Sequence, residues 1–369
     1  MPTYIHELKE WPHFFWDAET LEKPLGNLRY RQGLLLGRMS SLGMAQQEQR
    51  SLDNLTLDVT KSSEIEGEIL PTDQVRSSIA RRLGLEMGGL VNSDRQVDGV
   101  VEVMVDATRM FNKPLTAERL FNWHRNLFPY GMSGMFSITV GDWRKDDKGP
   151  MQVVSGPLGR EKVHFVAPDA GRVADEMDPF LLWVNEQNEV DSILRSAIAH
   201  FWFVTIHPFD DGNGRIARAI ADMLLARSDQ SAMRFYSMSS QIRNERNSYY
   251  QILENTQRGD LDITPWLLWY LSCLDKAISN SEGQMTIALA KNRFWERHRA
   301  HAFNSRQVIM LNKMLDGFDG KLTSAKWATI TKVSHDTALR DITDLLGSGI
   351  LKKDGAGGRN TGYDLVKDH

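Results

Sequence analysis

Apolar positions along most of the chain recur at three- and four-residue spacing. Leu34, Leu35, Leu36, Met39 and Leu42 form one such stripe, Leu52, Leu55 and Val59 a second, and Val97, Val101, Met104 and Val105 a third. That period matches an α-helix with one buried face. Between 173 and 274 helical patterns follow one another with a single break at 208–214, where a proline and two glycines fall. Ile216, Ile220 and Leu224 beside Ala217, Ala221 and Leu225 give the helix after that break two buried rows. Segment 137–168 differs, because glycines punctuate short β-branched or aromatic runs, Val153-Val154 and Val163 to Val166, and this predicts a β-hairpin.

The last part of the chain reads as helix (Val308, Leu311, Leu315), helix (323–331), helix (334–346), then two strand-like pieces around GAGGRNTG. That order predicts a winged helix-turn-helix. GAGGRNTG lacks the Gly-Lys-Ser/Thr ending and following helix of a phosphate loop, so it reads as the turn of the wing. A polar stretch at 280–283 and the charged run Lys291, Arg293, Glu296, Arg297, Arg299 read as a connector. The expected division is a helical extension over 1–100, a core over 101–285 and a third unit over 300–369.

A chain of 369 residues is long enough for two or three such units. Hydrophobic residues at 41% and charged residues at 25% fit a folded protein in water. Net charge of -4 argues against a chain-wide grip on nucleic acid or anionic lipid, so any anion site must be local. Cys273, the single cysteine, has no intramolecular partner and fits a reducing compartment. The first residues, MPTYIHELKEWPHFFWDAE, do not read as a signal peptide, and no apolar run reaches the ~20 residues of a membrane span. The expectation is a cytoplasmic protein without membrane contact.

Candidate chemistry concentrates in HPFDDGNGRIAR, 207–218. Pro208 ends the preceding helix, which leaves His207 at its tip beside a loop. Gly212 and Gly214 permit close backbone approach, and the next helix starts at once, so its free N–H groups form a cradle for phosphate. Arg215 and Arg218 lie on one face of that helix and match phosphate oxygens with their guanidinium forks. Asp211 is an oxygen ligand suited to Mg²⁺, which takes one or two carboxylates plus substrate phosphates. Taken singly, His207 reads equally as a capping residue, the glycines as a tight turn and Arg218 as a surface partner of Asp222. Their conjunction within twelve residues points to phosphoryl or nucleotidyl transfer.

The string resembles the signature of Fic domains, His-x-Phe-x-Asp/Glu-Gly-Asn-Gly-Arg-x-x-Arg, at every fixed position. LFNWHRNLF (120–128) is similar to the helix that opens a Fic core, and GDWR with VSGPLGREKVHFVAP is similar to its flap hairpin. WPHFFWD resembles the helical extension of one bacterial subgroup. The resemblance implies a mainly α fold: a helical Fic core with a β-hairpin flap, an N-terminal helical extension and the C-terminal winged helix-turn-helix. It implies that His207 takes a proton from a protein hydroxyl, which attacks the α-phosphate of ATP, so that AMP is transferred and pyrophosphate leaves. Asp211 then holds Mg²⁺, the amides of Gly212 and Gly214 with Asn213 hold phosphates, Arg215 and Arg218 bind the β- and γ-phosphates, and Phe209 anchors the loop. Tyr250 and Gln257 fall where an aromatic and a carboxamide face adenine in the family, although asparagine is commoner at the second position; both also read as packing residues.

The stripe Leu52, Leu55, Val59 continues onto Ser62 and Glu66, two polar residues on an inward face. A carboxylate there needs a cationic partner unless the helix leaves the core. SSEIEG, with Ser62, Glu66 and Gly67, resembles the Fic inhibitory motif Ser/Thr-x-x-x-Glu-Gly/Asn, which implies that Glu66 engages Arg218 and represses the enzyme. Such a glutamate also positions water to remove AMP in some relatives. Val153 and Val154 offer either an edge for capture of a protein substrate, including the chain itself, or a plain structural hairpin. Residues 305–369 carry ten Lys/Arg against eight Asp/Glu, a weak footprint for DNA, with Arg340, Lys352, Lys353 and Arg359 as the candidate contacts. Winged helices also serve as protein-docking or dimer modules, so a homodimer is a further candidate, and a nucleotide-sensing DNA-binding regulator is the rival reading to an enzyme.

Overall fold

The computed structural model of the chain describes residues 4–147, 149–156, 160–186, 189–318, 320–354 and 361–366. It is mainly helical and divides into two compact units, Met1–Ser281 and Glu282–His369.

In the first unit α1 (Ala18–Ser40) starts at Asp17, whose carboxylate accepts from the amides of Glu19 and Thr20 at 3.0 and 3.2 Å. Its stripe of Leu21, Leu28, Leu35 and Met39 is buried. Next comes α2 (Met44–Ile65), with Leu52, Leu55, Val59 and Ser62 on its buried side, as their spacing requires. It ends one residue before Glu66, and Gly67 then turns the chain at φ 90°. This turn suits glycine because a side chain at positive φ meets its own backbone.

The chain continues through α3 (Thr72–Leu83), α4 (Arg95–Arg109) and α5 (Ala117–Leu127) to two short antiparallel hairpins. These pair β1 (Met132–Ser133) with β2 (Phe136–Ser137), and β3 (Gln152–Ser155) with β4 (Lys162–Val166). The hairpin expected in 137–168 is therefore present, while its turn signals Pro157 and Gly159 lie outside the described residues. Then follow α6 (Val173–Asn185), α7 (Ser192–Ile206), α8 (Asn213–Asp229), α9 (Met238–Asn244), α10 (Arg246–Gln257) and α11 (Thr264–Arg297). Apart from Ser192 and Arg195, α7 is buried around its whole circumference, which makes it the central helix. It packs along α8, and α2, α4 and α5 cover the other sides of α8.

A buried polar cluster fastens α2 to this core. Asp58 of α2 accepts from Ser237 Oγ at 2.6 Å and from the amide of Ser239 at 3.3 Å. Close by, Arg234 donates to Asp222 at 3.1 Å and to Asp229 at 2.9 Å. Arg234 therefore takes the carboxylate that i+4 spacing offers to Arg218.

The polar stretch 280–283 does not interrupt the chain's helical course, since α11 continues to Arg297. In the second unit Phe294 and Trp295 pack against a core of Met310, Leu311, Trp327, Ile342, Leu345 and neighbours. That core is built from α12 (Ser305–Leu315), α13 (Ser324–Thr331) and α14 (His335–Gly347), followed by the antiparallel pair β5 (Leu351–Lys353) and β6 (Tyr363–Leu365). Arg340, Lys352 and Lys353 are exposed; Arg359 and most of GAGGRNTG lie outside the described residues. Among the described residues no helix is long and apolar enough to cross a membrane. Cys273 is a free, buried thiol.

Candidate active site

His207 caps α7 in the left-handed region, at φ 54° and ψ 57°. Proline at 208 disfavours continued helix at the residue before it, and the left-handed turn re-aims the chain at a cost of roughly 1–2 kcal/mol for a residue with a Cβ. The surroundings hold it there. Arg144, from the GDWR segment, donates its backbone N–H to the Pro208 carbonyl at 2.9 Å and its Nε to the His207 carbonyl at 2.8 Å, while its remaining nitrogens bind Asp146 and the Pro168 carbonyl.

The Nδ1 of His207 lies 3.1 Å from the Val204 carbonyl. A carbonyl only accepts, so Nδ1 carries the proton and Nε2 of the neutral ring has a free lone pair. Burial pushes the pKa of this imidazole down to about 4, with Arg144 acting in the same direction and the Val204 carbonyl, Asp211 and Glu66 opposing. The ring is thus a neutral base at physiological pH.

Behind the loop Phe209 is fully buried and stacks on His124 of α5, with ring centroids 4.2 Å apart. Nε2 of His124 donates to the Asp211 carbonyl at 3.1 Å, and Nδ1 accepts from the amide of Gly141 at 3.2 Å. This neutral imidazole, with its pKa lowered by burial to about 4, braces the motif loop against the segment leading to the flap. Asn213 closes the loop on itself. Its Oδ1 accepts from the Phe209 amide at 3.0 Å and its Nδ2 donates to the Phe209 carbonyl at 2.7 Å, so its side chain shapes the cradle rather than facing it.

Asp211 accepts from Ser133 Oγ and, through Oδ1, from the amide of Gly212 at 2.5 Å. Among the described residues no three His, Cys, Asp or Glu side chains gather as a metal site. The donor set therefore fits a hard cation only where phosphate oxygens complete its shell.

Gly212 opens α8 at φ 83°, and a Cβ there would lie 2.8 Å from Phe128 Cε2. At Gly214 a Cβ would fall inside contact distance of Glu66 Oε1 and 3.2 Å from Arg218 Nη1. The carboxylate of Glu66 thus lies at the positive end of α8, where unpaired amides favour an anion.

Arg218, whose side chain is 1% exposed, donates Nη2 to Glu66 Oε1 at 2.7 Å and to the Ser62 carbonyl at 3.0 Å, and Nε to Ser62 Oγ at 2.9 Å. Glu66 itself is 30% exposed, so of this pair the buried charge is the arginine. This corrects the expectation of a buried glutamate on the helix face: the helix has ended, and Glu66 reaches back from the turn. Its second oxygen lies 3.3 Å from the hydroxyl of Tyr250.

Arg215 is held by a carboxylate that sequence reasoning missed. Its Nη1 donates to Glu68 Oε2 at 2.7 Å, and its guanidinium lies over the ring of Phe128. Arg218 Nη1 and Arg215 Nε are buried donors with no acceptor among the described residues. Of the two adenine candidates, Tyr250 is half-buried beside Glu66, whereas Gln257 is buried and donates to Thr205 Oγ1 at 3.3 Å. The structure therefore brings together His207, Asp211, Gly212, Gly214, Arg215, Arg218, Glu66 and Tyr250, and turns Gln257 toward α7. Val153 and Val154 lie on β3, where Val153 is half-buried and Val154 is exposed.

Residues 114–225 match the Fic/DOC family model, and residues 4–85 match a domain of unknown function, DUF4172. The chain carries a Fic/DOC domain. Over 218 residues, 58% of this chain, it is 26% identical to the protein adenylyltransferase Fic of Drosophila yakuba, and equally so to that of Drosophila grimshawi. The chain spans about two-fifths of the length of these relatives, 39% and 40%. Among solved structures, a Fic family protein from Desulfovibrio desulfuricans G20 matches with TM-score 0.51 and 21% identity, covering 94% of this chain and 97% of that one. Fic-1 from C. elegans matches with TM-score 0.50 and 23% identity, over 73% of this chain and 76% of its own. These likenesses establish a helical Fic fold with small hairpins.

Proposed function

We propose that the chain is an autoinhibited protein adenylyltransferase. It transfers AMP from ATP to a hydroxyl side chain of a protein in the cytoplasm, and its resting state is the one held by Glu66. One observation carries this reading: a carboxylate of the chain lies beside Gly214, at the mouth of the phosphate cradle, and engages the arginine that a nucleotide needs.

On this reading His207 Nε2 removes the proton of the incoming hydroxyl, which attacks the α-phosphate in line as pyrophosphate leaves. The neutral ring, its fixed tautomer and its strained position at the helix tip support that role. The amides at Gly212 and Gly214 hold phosphate oxygens, and Arg215 and Arg218 neutralise the leaving pyrophosphate once Glu68 and Glu66 release them. Asn213 acts by fixing the loop. Asp211 would hold Mg²⁺, which would supply charge neutralisation between phosphates. Tyr250 is placed to flank the base. The target strand lies along β3, at Val153 and Val154, held mainly through its backbone. Residues 305–369 act as a winged helix that docks a protein or a second copy of the chain.

The test is Glu66→Gly with α-labelled ATP and Mg²⁺. Labelling is expected to rise at least tenfold, about 1.4 kcal/mol of barrier, and His207→Ala in the same background should abolish it. An unchanged rate would defeat the brake. Mass spectrometry of the product distinguishes AMP transfer from removal of AMP or movement of another phosphate-containing group, and gel shifts with genomic fragments test the DNA-binding alternative.

A further inference from the structure

Outside the motif, the hairpin and α10 build a second nucleophile-and-base constellation. Ser155 Oγ of β3 lies 2.6 Å from Nε2 of His164 on β4, and Nδ1 of the same ring lies 2.7 Å from Glu254 Oε2 on α10. The strand register explains how these side chains meet. Val153 pairs with Phe165 and Val154 with Val163, so His164 is the extra residue of a β-bulge. Bulges re-aim one side chain, and here the imidazole is turned to span Ser155 and the helix. The His164 hydrogen bond holds the Glu254 carboxyl below its ordinary pKa, so it is an ionised acceptor. Nδ1 therefore donates to Glu254; an imidazole that donates there can accept only through Nε2, where the serine hydroxyl lies as donor. A base hydrogen-bonded to a hydroxyl and oriented by a third group is the arrangement that activates a serine. Ser155 is exposed, so an electrophile can reach it. Glu254 is one helical turn beyond Tyr250, which touches Glu66, so this serine belongs to the same side of the molecule as the nucleotide cradle.

We infer that Ser155 is an activated nucleophile toward phosphorus electrophiles, with His164 as its base and Glu254 as the positioning residue, and that it is the chain's own acceptor of an adenylyl group. The second clause rests on the adenylyl-transfer reading given above. In the transfer, Ser155 Oγ forms a bond to the α-phosphorus, the bond from that phosphorus to the β-phosphate oxygen breaks, pyrophosphate leaves with the electron pair, and the hydroxyl proton passes to His207 Nε2 as in the reading above; His164 is the base where the electrophile is not held in the nucleotide cradle. Besides His164, the charges acting on the Glu254 carboxyl are Lys162 and Arg258; Arg258 also donates to the His164 carbonyl at 3.0 Å.

A fluorophosphonate probe tests the serine without ATP: Oγ bonds to phosphorus, fluoride leaves with its pair, and the proton goes to His164. Label is expected on Ser155 by peptide mass spectrometry and absent in Ser155→Ala. His164→Gln and Glu254→Gln should each slow it at least tenfold while circular dichroism and melting temperature stay unchanged. Equal rates in His164→Gln, or a hairpin clasp without reactivity, would overturn the inference. In the second arm, Glu66→Gly protein with α-labelled ATP should carry AMP on Ser155; label only on other residues overturns the acceptor role. Absence of label on every protein, added lysate included, instead refutes the adenylyl-transfer reading and leaves the fluorophosphonate result to decide Ser155.

Discussion

Replacing Glu66 with Gln isolates the charge of the brake from its shape. Arg218 keeps its two bonds to Ser62 but faces a neutral amide in place of a carboxylate. Breaking a fully buried ion pair costs roughly 3–5 kcal/mol; with Glu66 30% exposed, solvent screens part of this, and about 1–3 kcal/mol is expected. For a unit of this size each kcal/mol moves the melting temperature by about 2–4 °C. The same substitution frees the cradle for an anion, and a ligand at ten times its dissociation constant returns about 1.4 kcal/mol. Thermal unfolding with and without Mg-ATP should therefore show a variant that melts lower than the parent alone and shifts further upward with nucleotide. Equal melting temperatures, or equal nucleotide shifts, would refute the view that Glu66 competes with phosphate for Arg218.

Three further outcomes follow from the same contacts. Gly214→Ala should destabilise the parent protein, because the new Cβ meets Glu66 Oε1, but should be neutral or stabilising in Glu66→Gly, where only the helix preference for alanine of about 1 kcal/mol remains; additive melting shifts would contradict the contact. Glu68→Ala should release Arg215, so the double variant with Glu66→Gly should label faster than Glu66→Gly alone, and identical rates would show that Glu68 is no second restraint. His124 and His200 are buried and neutral, with pKa values pushed down by burial to about 4 and about 3. Between pH 6.5 and those values the unfolded chain binds more protons, so stability is full above pH 6.5 and falls as pH drops, by about 3 kcal/mol for a shift of this size. Melting scans from pH 7.5 to 4.5 check this, and His200→Gln should flatten the slope.

Much of this was legible in the sequence because it depends on local spacing. The 207–218 string fixed a helix end, a glycine turn and a helix start within a few residues, and the stripe through Leu52, Leu55 and Val59 carried the eye to Ser62. What escaped depends on contacts between distant segments. Glu68 reaches Arg215 across 147 positions, and nothing in its neighbours marks it. His124 reads as one more polar residue on an amphipathic helix; only the fold puts its two nitrogens against Asp211 and Gly141. The Fic resemblance implies that Asn213 holds phosphate, and only the fold shows that its side chain satisfies the buried amide and carbonyl of Phe209. The bulge at His164 was equally hidden, since a short β-branched and aromatic run such as Val163 to Val166 predicts a strand and carries no mark of where its register shifts.

The anchoring of α2 through Asp58 has a bearing on how the proposed repressed state would be left. The Glu66 carboxylate, proposed above as the brake, follows a rod set in the same folded body, so its local concentration at the cradle is independent of how much protein is present. Diluting the protein does not relieve it. The turn after Ile65, where Gly67 stands at φ 90°, lies between that rod and the carboxylate, so on the proposed reading a signal that reshapes those few residues would suffice and would leave the rod seated.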